Sequence, residues 1–314
     1  GEIGLEGWVG FLPRVLEKQL PLDFYSFHTY LDGNTWFVPD DLRAKGEKNE
    51  LEKVVAGLSS DPYFINTAVH INEYSYLNEA NGSTNGLNSQ FNYYEGAWRT
   101  LDGLMEVVDR TSVQWTYWAQ FMESTGGYDP YGMIEHRGGN IKAPFNAMKM
   151  YTDMPVWRYE GTLDKENSGL RTLVSSSDDK IGILIWNMNA SKDAEGKKIS
   201  QGDRVVDVRL NNAKFGGGTR RIYRIDENHA SWFDNNEAAE LVVQEEKSIQ
   251  TSGSVWTGTV PADGVVYITI NKDGKKDFTA WEDRVSFGET RDIKTSYYYE
   301  DRYRGLEGCR EVWE

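Results

Sequence analysis

Residues 68–76 have the sequence AVHINEYSY, a short run of apolar and aromatic side chains that predicts a β-strand. Two similar runs flank it, LDFYSFHTY at 22–30 and SVQWTYWAQF at 112–121. Four helices are predicted around them, at residues 8–20, 40–58, 89–108 and 140–154. Strands that alternate with helices in this way form parallel sheets with right-handed crossovers. Because these strands are apolar along both faces, we expect both faces of the sheet to be covered.

Beyond Pro155 the pattern changes to short strands separated by turns rich in Gly, Asn and Asp. Strands are predicted at residues 169–176, 180–189, 204–212, 219–226, 239–246, 254–260 and 264–270. Their spacing predicts an antiparallel β-sandwich over 156–272. The charged run DGKKD then resembles a linker, and residues 273–314 are predicted to begin a second β module.

The predicted fold class is therefore α/β plus all-β, with three β/α units in residues 1–155. Three units do not close a barrel by themselves. They belong either to a doubly wound sheet or to the last part of a (β/α)8 barrel. The doubly wound alternative is less favoured, because no Gly-rich phosphate-binding loop follows any of the three strands.

The composition disfavours several classes of partner. A net charge of −15 argues against nucleic acids, which require clustered Lys and Arg, and against anionic membrane surfaces. The single cysteine, Cys309, and four scattered histidines provide no metal-ligand cluster, so we expect no metal and no cofactor. No run of about eighteen apolar residues is present, and the N-terminal sequence lacks the features of a signal peptide.

The candidate site residues lie where the predicted strands end, because α/β barrels carry their active sites at the carboxyl ends of the strands. The first strand ends at His28 and Tyr30, the second at Asn72 and Glu73, and the third at Trp118. Glu73 is the strongest candidate, because a carboxylate within an apolar strand is costly to bury unless it is partnered or functional. A neighbouring Tyr or His hydrogen-bonds and orients a carboxylate, and Trp offers a flat face to a sugar ring.

The segments DFYSFHTY, HINEY and WTYWAQF, in that order, resemble strands six, seven and eight of clan A retaining glycoside hydrolases. The segment KAPFNAMKMYTDMP resembles the last barrel helix that leads into a β-sandwich. The resemblance covers about the first half of the chain. It implies the C-terminal part of a (β/α)8 barrel and a polysaccharide-cleaving enzyme that is secreted, periplasmic or on the cell surface.

The resemblance also implies residue roles. Glu73 corresponds to the nucleophile at the end of strand seven, His28 and Tyr30 to the strand-six pair beside it, and Trp118 to the aromatic residue under the bound sugar. Two families within the clan are similar, the β-agarase/β-porphyranase family and the β-xylosidase/α-L-iduronidase family. The second β module and the MYTDMP sequence favour the galactan-cleaving family by a small margin.

One element of the clan's pattern has no counterpart here. Retaining hydrolysis requires a second carboxyl group as general acid/base, and the clan places it in an Asn-Glu pair on strand four. We expect a missing N-terminal part of the barrel, or a second chain, to supply it. The pair Asn72–Glu73 resembles that motif too, so Glu73 as the acid/base is an open alternative.

Further candidates are weaker. Glu123 and Arg137 are candidates to bind the hydroxyl or sulfate groups of a substrate, although solvated loop positions are the more common explanation. His70 is predicted to be a core histidine and Trp98 a packing residue. A different class of function also fits the sequence, namely a non-catalytic carbohydrate-binding fragment in which the sandwich is the active part.

Overall fold

A computed structural model of the chain describes residues 8–31, 46, 48, 50–76, 90–110, 112–118, 132–134, 139–159, 161–162, 169–188 and 202–279. Contacts divide the chain into two compact units, Gly1–Lys275 and Lys276–Glu314. The sequence placed the corresponding boundary after residue 272. Most of the predicted second β module, residues 280–314, lies outside the described residues.

The first part of the chain is a three-stranded parallel sheet in the order β1-β2-β3. The strands are β1 (Phe24–Leu31), β2 (Ala68–Tyr76) and β3 (Val113–Trp118). The helices are α1 (Trp8–Lys18), α2 (Glu50–Ser60), α3 (Glu95–Arg110) and α4 (Ala143–Asp153). The predicted alternation of helices with parallel strands is confirmed. No described helix is long and apolar enough to cross a membrane.

The third helix begins later than the sequence predicts. A short 3-10 helix, Gln90–Asn92, comes first, and α3 starts only at Glu95. The backbone at the start of α3 passes very close to the 3-10 helix. A Cβ on Gly96 would lie only 2.5 Å from the carbonyl oxygen of Phe91. Only glycine fits at such a close approach. The start of the predicted second helix, residues 40–45, lies outside the described residues.

The two faces of the parallel sheet differ in exposure. One face is buried, and Tyr25 on this face contacts Phe11 of α1, so it is the side that the helices cover. On the other face Phe24, Trp115 and Tyr117 are 51%, 56% and 52% exposed. The expectation of two covered faces therefore holds only for the helix side in the described part of the chain. We call the exposed side the open face.

The β domain contains two antiparallel sheets that share one core. The larger sheet has the order β4-β5-β6-β11-β8-β9, and the smaller one pairs β7 with β10. Apolar residues from both sheets, such as Ile183, Ile268 and Trp256, form one buried cluster. The strands are β4 (Trp157–Tyr159), β5 (Leu170–Ser176), β6 (Lys180–Asn187), β7 (Arg204–Leu210), β8 (Gly217–Ile225), β9 (Glu245–Gln250), β10 (Gly253–Val260) and β11 (Val265–Asn271).

The sequence places one of these strands wrongly. A strand was predicted at 239–246, whereas β9 spans Glu245–Gln250. Val242 and Val243, which suggested the strand, are largely exposed. The observed strand begins instead where Arg220 and Arg221 of β8 form ion pairs with its first two residues. The short strand β4 has no counterpart among the strands predicted from the sequence.

Helices α3 and α4 join the parallel sheet to the β domain. The buried indole of Trp98 donates a hydrogen bond to Asp263 Oδ1 at 3.0 Å, and that of Trp186 donates to Asp102 Oδ1 at 3.2 Å. The interpretation of Trp98 as a packing residue is therefore confirmed. Buried indole N–H groups require acceptors, so both pairs fix how the two parts meet.

Candidate active site

A β-bulge in β2 determines which way Glu73 points. Phe27 pairs with Ile71, but His28 pairs with Glu73, so Asn72 is an extra residue without a counterpart on β1. Side chains alternate between the two faces of a strand, and Ile71 is buried on the helix side. Regular alternation would therefore direct Glu73 toward the helices as well. The extra residue reverses the order, which brings Glu73 to the open face and leaves Tyr74 buried.

His28 and Glu73 lie side by side on that face. The Nδ1 atom of His28 lies 2.6 Å from Glu73 Oε2, and the two side chains are 48% and 31% exposed. At this distance the ring nitrogen and the carboxylate oxygen are in direct polar contact. The contact holds one carboxylate oxygen in place at the carboxyl end of β2. A carboxylate that is oriented and partly accessible is suited to act as a nucleophile or as a proton carrier.

Trp118 belongs to an aromatic cluster that also contains Tyr74 and Phe91. Its ring makes an edge-on contact with Tyr74, with centroids 4.9 Å apart, and stacks on Phe91 at 5.4 Å. Tyr74 and Phe91 are both buried, and burial raises the pKa of the Tyr74 phenol above its ordinary range. Trp118 therefore packs on the side opposite to Glu73, and we call these three rings the Tyr74 cluster.

Two aromatic side chains on the same face as Glu73 were not predicted from the sequence to belong to the site. Trp115 and Tyr117 both face the open side, and Tyr117 lies between the residues that pair with Ile71 and Tyr74. The sequence of β3 could have predicted this arrangement. Trp115 and Tyr117 are two residues apart and therefore share a face, whereas Trp118 lies on the opposite face. Together with Glu73 they give the open face a mixed aromatic and acidic character.

His70 is not a core residue, contrary to the prediction. It is partly exposed on the open face, where it stacks on Phe24 with ring centroids 4.9 Å apart. Its other neighbour is Trp115, at 6.4 Å in an edge-on arrangement. The misassignment arose because the sequence pattern suggested two covered faces, whereas the described residues cover only one.

Several sequence candidates cannot be placed. Glu123 and Arg137 lie outside the described residues. Tyr30 lies in β1 opposite Ser75, and its side chain is not among those described. Asn72 is the exposed residue of the bulge. Of the seven site candidates, the structure brings together His28 and Glu73.

The described residues contain no group of three or more His, Cys, Asp or Glu side chains placed to hold a metal ion. The acidic turn at residues 177–179 makes contacts with lysines. Asp178 pairs with Lys214 at 3.2 Å, and Asp179 pairs with Lys275 at 2.9 Å. The Lys275 ammonium is the main cause that lowers the pKa of Asp179.

No family model matches the chain, and no curated protein matches it in sequence. Solved structures do match it. A monomeric β-xylosidase from Caulobacter crescentus CB15 aligns with a TM-score of 0.59 and 15% identity, over 83% of this chain and 58% of that one. The GH39 enzyme from Xanthomonas axonopodis pv. citri aligns with a TM-score of 0.60 and 15% identity, over 83% and 57%.

A glucosidase from Croceicoccus marinus aligns with a TM-score of 0.55 and 19% identity, over 84% of this chain and 56% of that chain. The chain therefore spans little more than half the length of each of these structures. At such low identity the likeness concerns the fold. A parallel α/β part followed by an antiparallel β domain is the architecture that this chain shares with all three enzymes.

Proposed function

We propose that this chain is the C-terminal part of a retaining glycoside hydrolase with Glu73 as its nucleophile. The observation that supports this proposal most directly is the bulge that presents Glu73 at the carboxyl end of a parallel strand, with His28 Nδ1 2.6 Å from its carboxylate. The similar solved structures include a β-xylosidase and a glucosidase, which is consistent with this chemistry.

In the proposed reaction a carboxylate oxygen of Glu73 attacks the anomeric carbon of the sugar. The bond from that carbon to the leaving oxygen breaks as a general acid protonates the leaving group. Water, deprotonated by the same group, then hydrolyses the glycosyl-enzyme ester and restores Glu73. We propose that the general acid is a carboxyl group outside the described residues, on a part of the barrel beyond this chain or on a second chain.

For the substrate we propose a β-linked glycan, which the enzyme meets outside the cell or in the periplasm. The first candidate is a galactan of the agar or porphyran type, and the second is a β-xyloside. A panel of xylo-, gluco-, galacto- and agaro-oligosaccharides separates these candidates. A chain that binds one of them without turnover would instead be a carbohydrate-binding module.

Trapping of the intermediate tests the proposal. The full-length protein is incubated with 2-deoxy-2-fluoro glycosides that carry a good leaving group. Mass spectrometry should find the added sugar on the peptide that contains Glu73, and NMR should find the product with retained anomeric configuration. Labelling of a different carboxylate, or an inverted product, would contradict the assignment.

We expect His28→Asn to lower kcat about 10- to 100-fold with little loss of stability, because this side chain orients the Glu73 carboxylate and is itself half exposed. His229→Asn is the matched control. His229 Nδ1 also lies 2.7 Å from a carboxylate, that of Asp226, but in the β domain. Equal effects of the two variants on kcat would show that the His28 contact has no special role.

A further inference from the structure

Residues of the β domain contact the segment Gln90–Tyr94, which lies between β2 and α3, and hold it in place. Asp234 Oδ2 accepts a hydrogen bond from the backbone N–H of Tyr94 at 2.7 Å and another from Ser231 Oγ at 2.5 Å. Beside it, the rings of Phe233 and Tyr93 meet edge-on with centroids 6.1 Å apart. The loop Ser231–Asp234 therefore fixes both the backbone and a side chain of this segment.

A buried lysine makes a second connection to the same segment. Lys142, at the start of α4, is fully buried, and its Nζ donates a hydrogen bond to Asn92 Oδ1 at 2.6 Å. The same Nζ lies 5.7 Å from the ring centre of Phe91 and 5.8 Å from that of Phe233. An ammonium group in the interior must keep its polar and aromatic partners, so it permits little movement of the residues around it.

The held segment carries Phe91, and Phe91 stacks on Trp118 in the Tyr74 cluster. Tyr74 directly follows Glu73 in β2, so the cluster packs behind the end of the strand that presents the carboxylate. We propose that Lys142 and Asp234 are positioning residues, which hold the Tyr74 cluster and thereby keep Glu73 in reactive geometry. This inference rests on the proposed function and assigns the β domain a part in catalysis.

Lys142→Met in the full-length enzyme tests the inference. The variant keeps the chain length and removes the charge. We expect kcat to fall about tenfold with KM nearly unchanged, because small displacements of a reacting group lower the rate of the chemical step. Fluoro-glycoside labelling should reach the same final stoichiometry as in the wild type, but more slowly. A second variant, Asp234→Ala, releases Tyr94 without altering the lysine and should act in the same direction.

Lys180→Met is the matched control, because Lys180 Nζ also joins the two parts of the chain, through Asp153 Oδ2 at 2.5 Å, but at the opposite end of α4 from Lys142. It should leave kcat within about twofold of the wild type. Incorporated 5-fluorotryptophan reports on Trp118 independently of activity. Its ¹⁹F resonance, assigned with Trp118→Phe, should shift in Lys142→Met and in Asp234→Ala but not in the control.

The two readouts separate the two proposals. An unmoved Trp118 resonance, or equal kcat losses in Lys142→Met and Lys180→Met, would overturn the positioning role. A shifted resonance with wild-type kcat would overturn it as well, because the cluster would then move without consequence for Glu73. Absence of hydrolysis by the wild type would instead refute the proposed function.

Discussion

Replacing Glu73 by glutamine is expected to lower kcat by at least about 10³-fold while the protein stays folded. The amide has nearly the shape of the carboxylate but does not form the glycosyl ester. Its partner His28 remains able to donate to the amide oxygen, so the local structure should persist. The measurement is steady-state hydrolysis of an aryl glycoside by the full-length enzyme, with thermal unfolding as the check on folding. Glu17→Gln, on the exposed side of α1, is the matched control and should leave kcat unchanged.

Azide rescue distinguishes the two roles that remain open for Glu73. If it is the nucleophile, Glu73→Ala with azide should release a glycosyl azide of inverted configuration, because azide attacks from the vacated side. If it is the acid/base, azide should intercept the glycosyl-enzyme and give the retained configuration. Full activity of Glu73→Gln would contradict both roles.

Replacing Trp98 by alanine is expected to reduce the free energy of unfolding by about 3–5 kcal/mol, the usual cost of truncating a buried tryptophan. Its ring is 1% exposed, and its indole N–H satisfies the Asp263 carboxylate across the junction with the β domain. The variant therefore leaves both a cavity and a buried acceptor without its donor. Chemical denaturation monitored by circular dichroism measures the loss.

Trp157→Ala is the control for this substitution. Trp157 lies on the edge strand β4 and is 68% exposed, so the change should alter the free energy of unfolding by no more than about 0.5 kcal/mol. Similar losses in the two variants would mean that Trp98 does not secure the junction. A loss confined to Trp98→Ala is the result expected of a side chain that is buried and hydrogen-bonded at this junction.

The sequence predicted the strands well where burial and β-propensity coincide. The predicted and observed limits of β2 are the same, Ala68 and Tyr76, because a run of β-branched and aromatic residues is bounded by polar turns. The prediction failed at β9, because exposed Val242 and Val243 have the composition of a strand, whereas the observed strand begins at Glu245, which pairs with Arg220 of β8. Such pairs form between distant residues and leave no local pattern.

The candidate site was only partly predictable for a related reason. His28 and Glu73 were identified as neighbours from their positions at strand ends, and the structure pairs them. Trp118 as the ring beside the sugar stays a prediction; in the structure its ring contacts Tyr74 and Phe91, and the alternation of β3 places Trp115 and Tyr117 on the open face. The contacts of Lys142 and Asp234 join residues far apart in the chain, so no local sequence motif predicts them.

Because β2 contains one extra residue, the number of residues in the strand determines whether Glu73 or Tyr74 faces the open side. Deleting Asn72 would shift the phase of the pleat by one residue, exchanging the sides on which Glu73 and Tyr74 emerge. A negative charge would then enter the apolar interior while a phenol emerged into solvent. Substitutions of Asn72 should accordingly be tolerated far better than its removal, since spacing at this point matters more than side-chain chemistry.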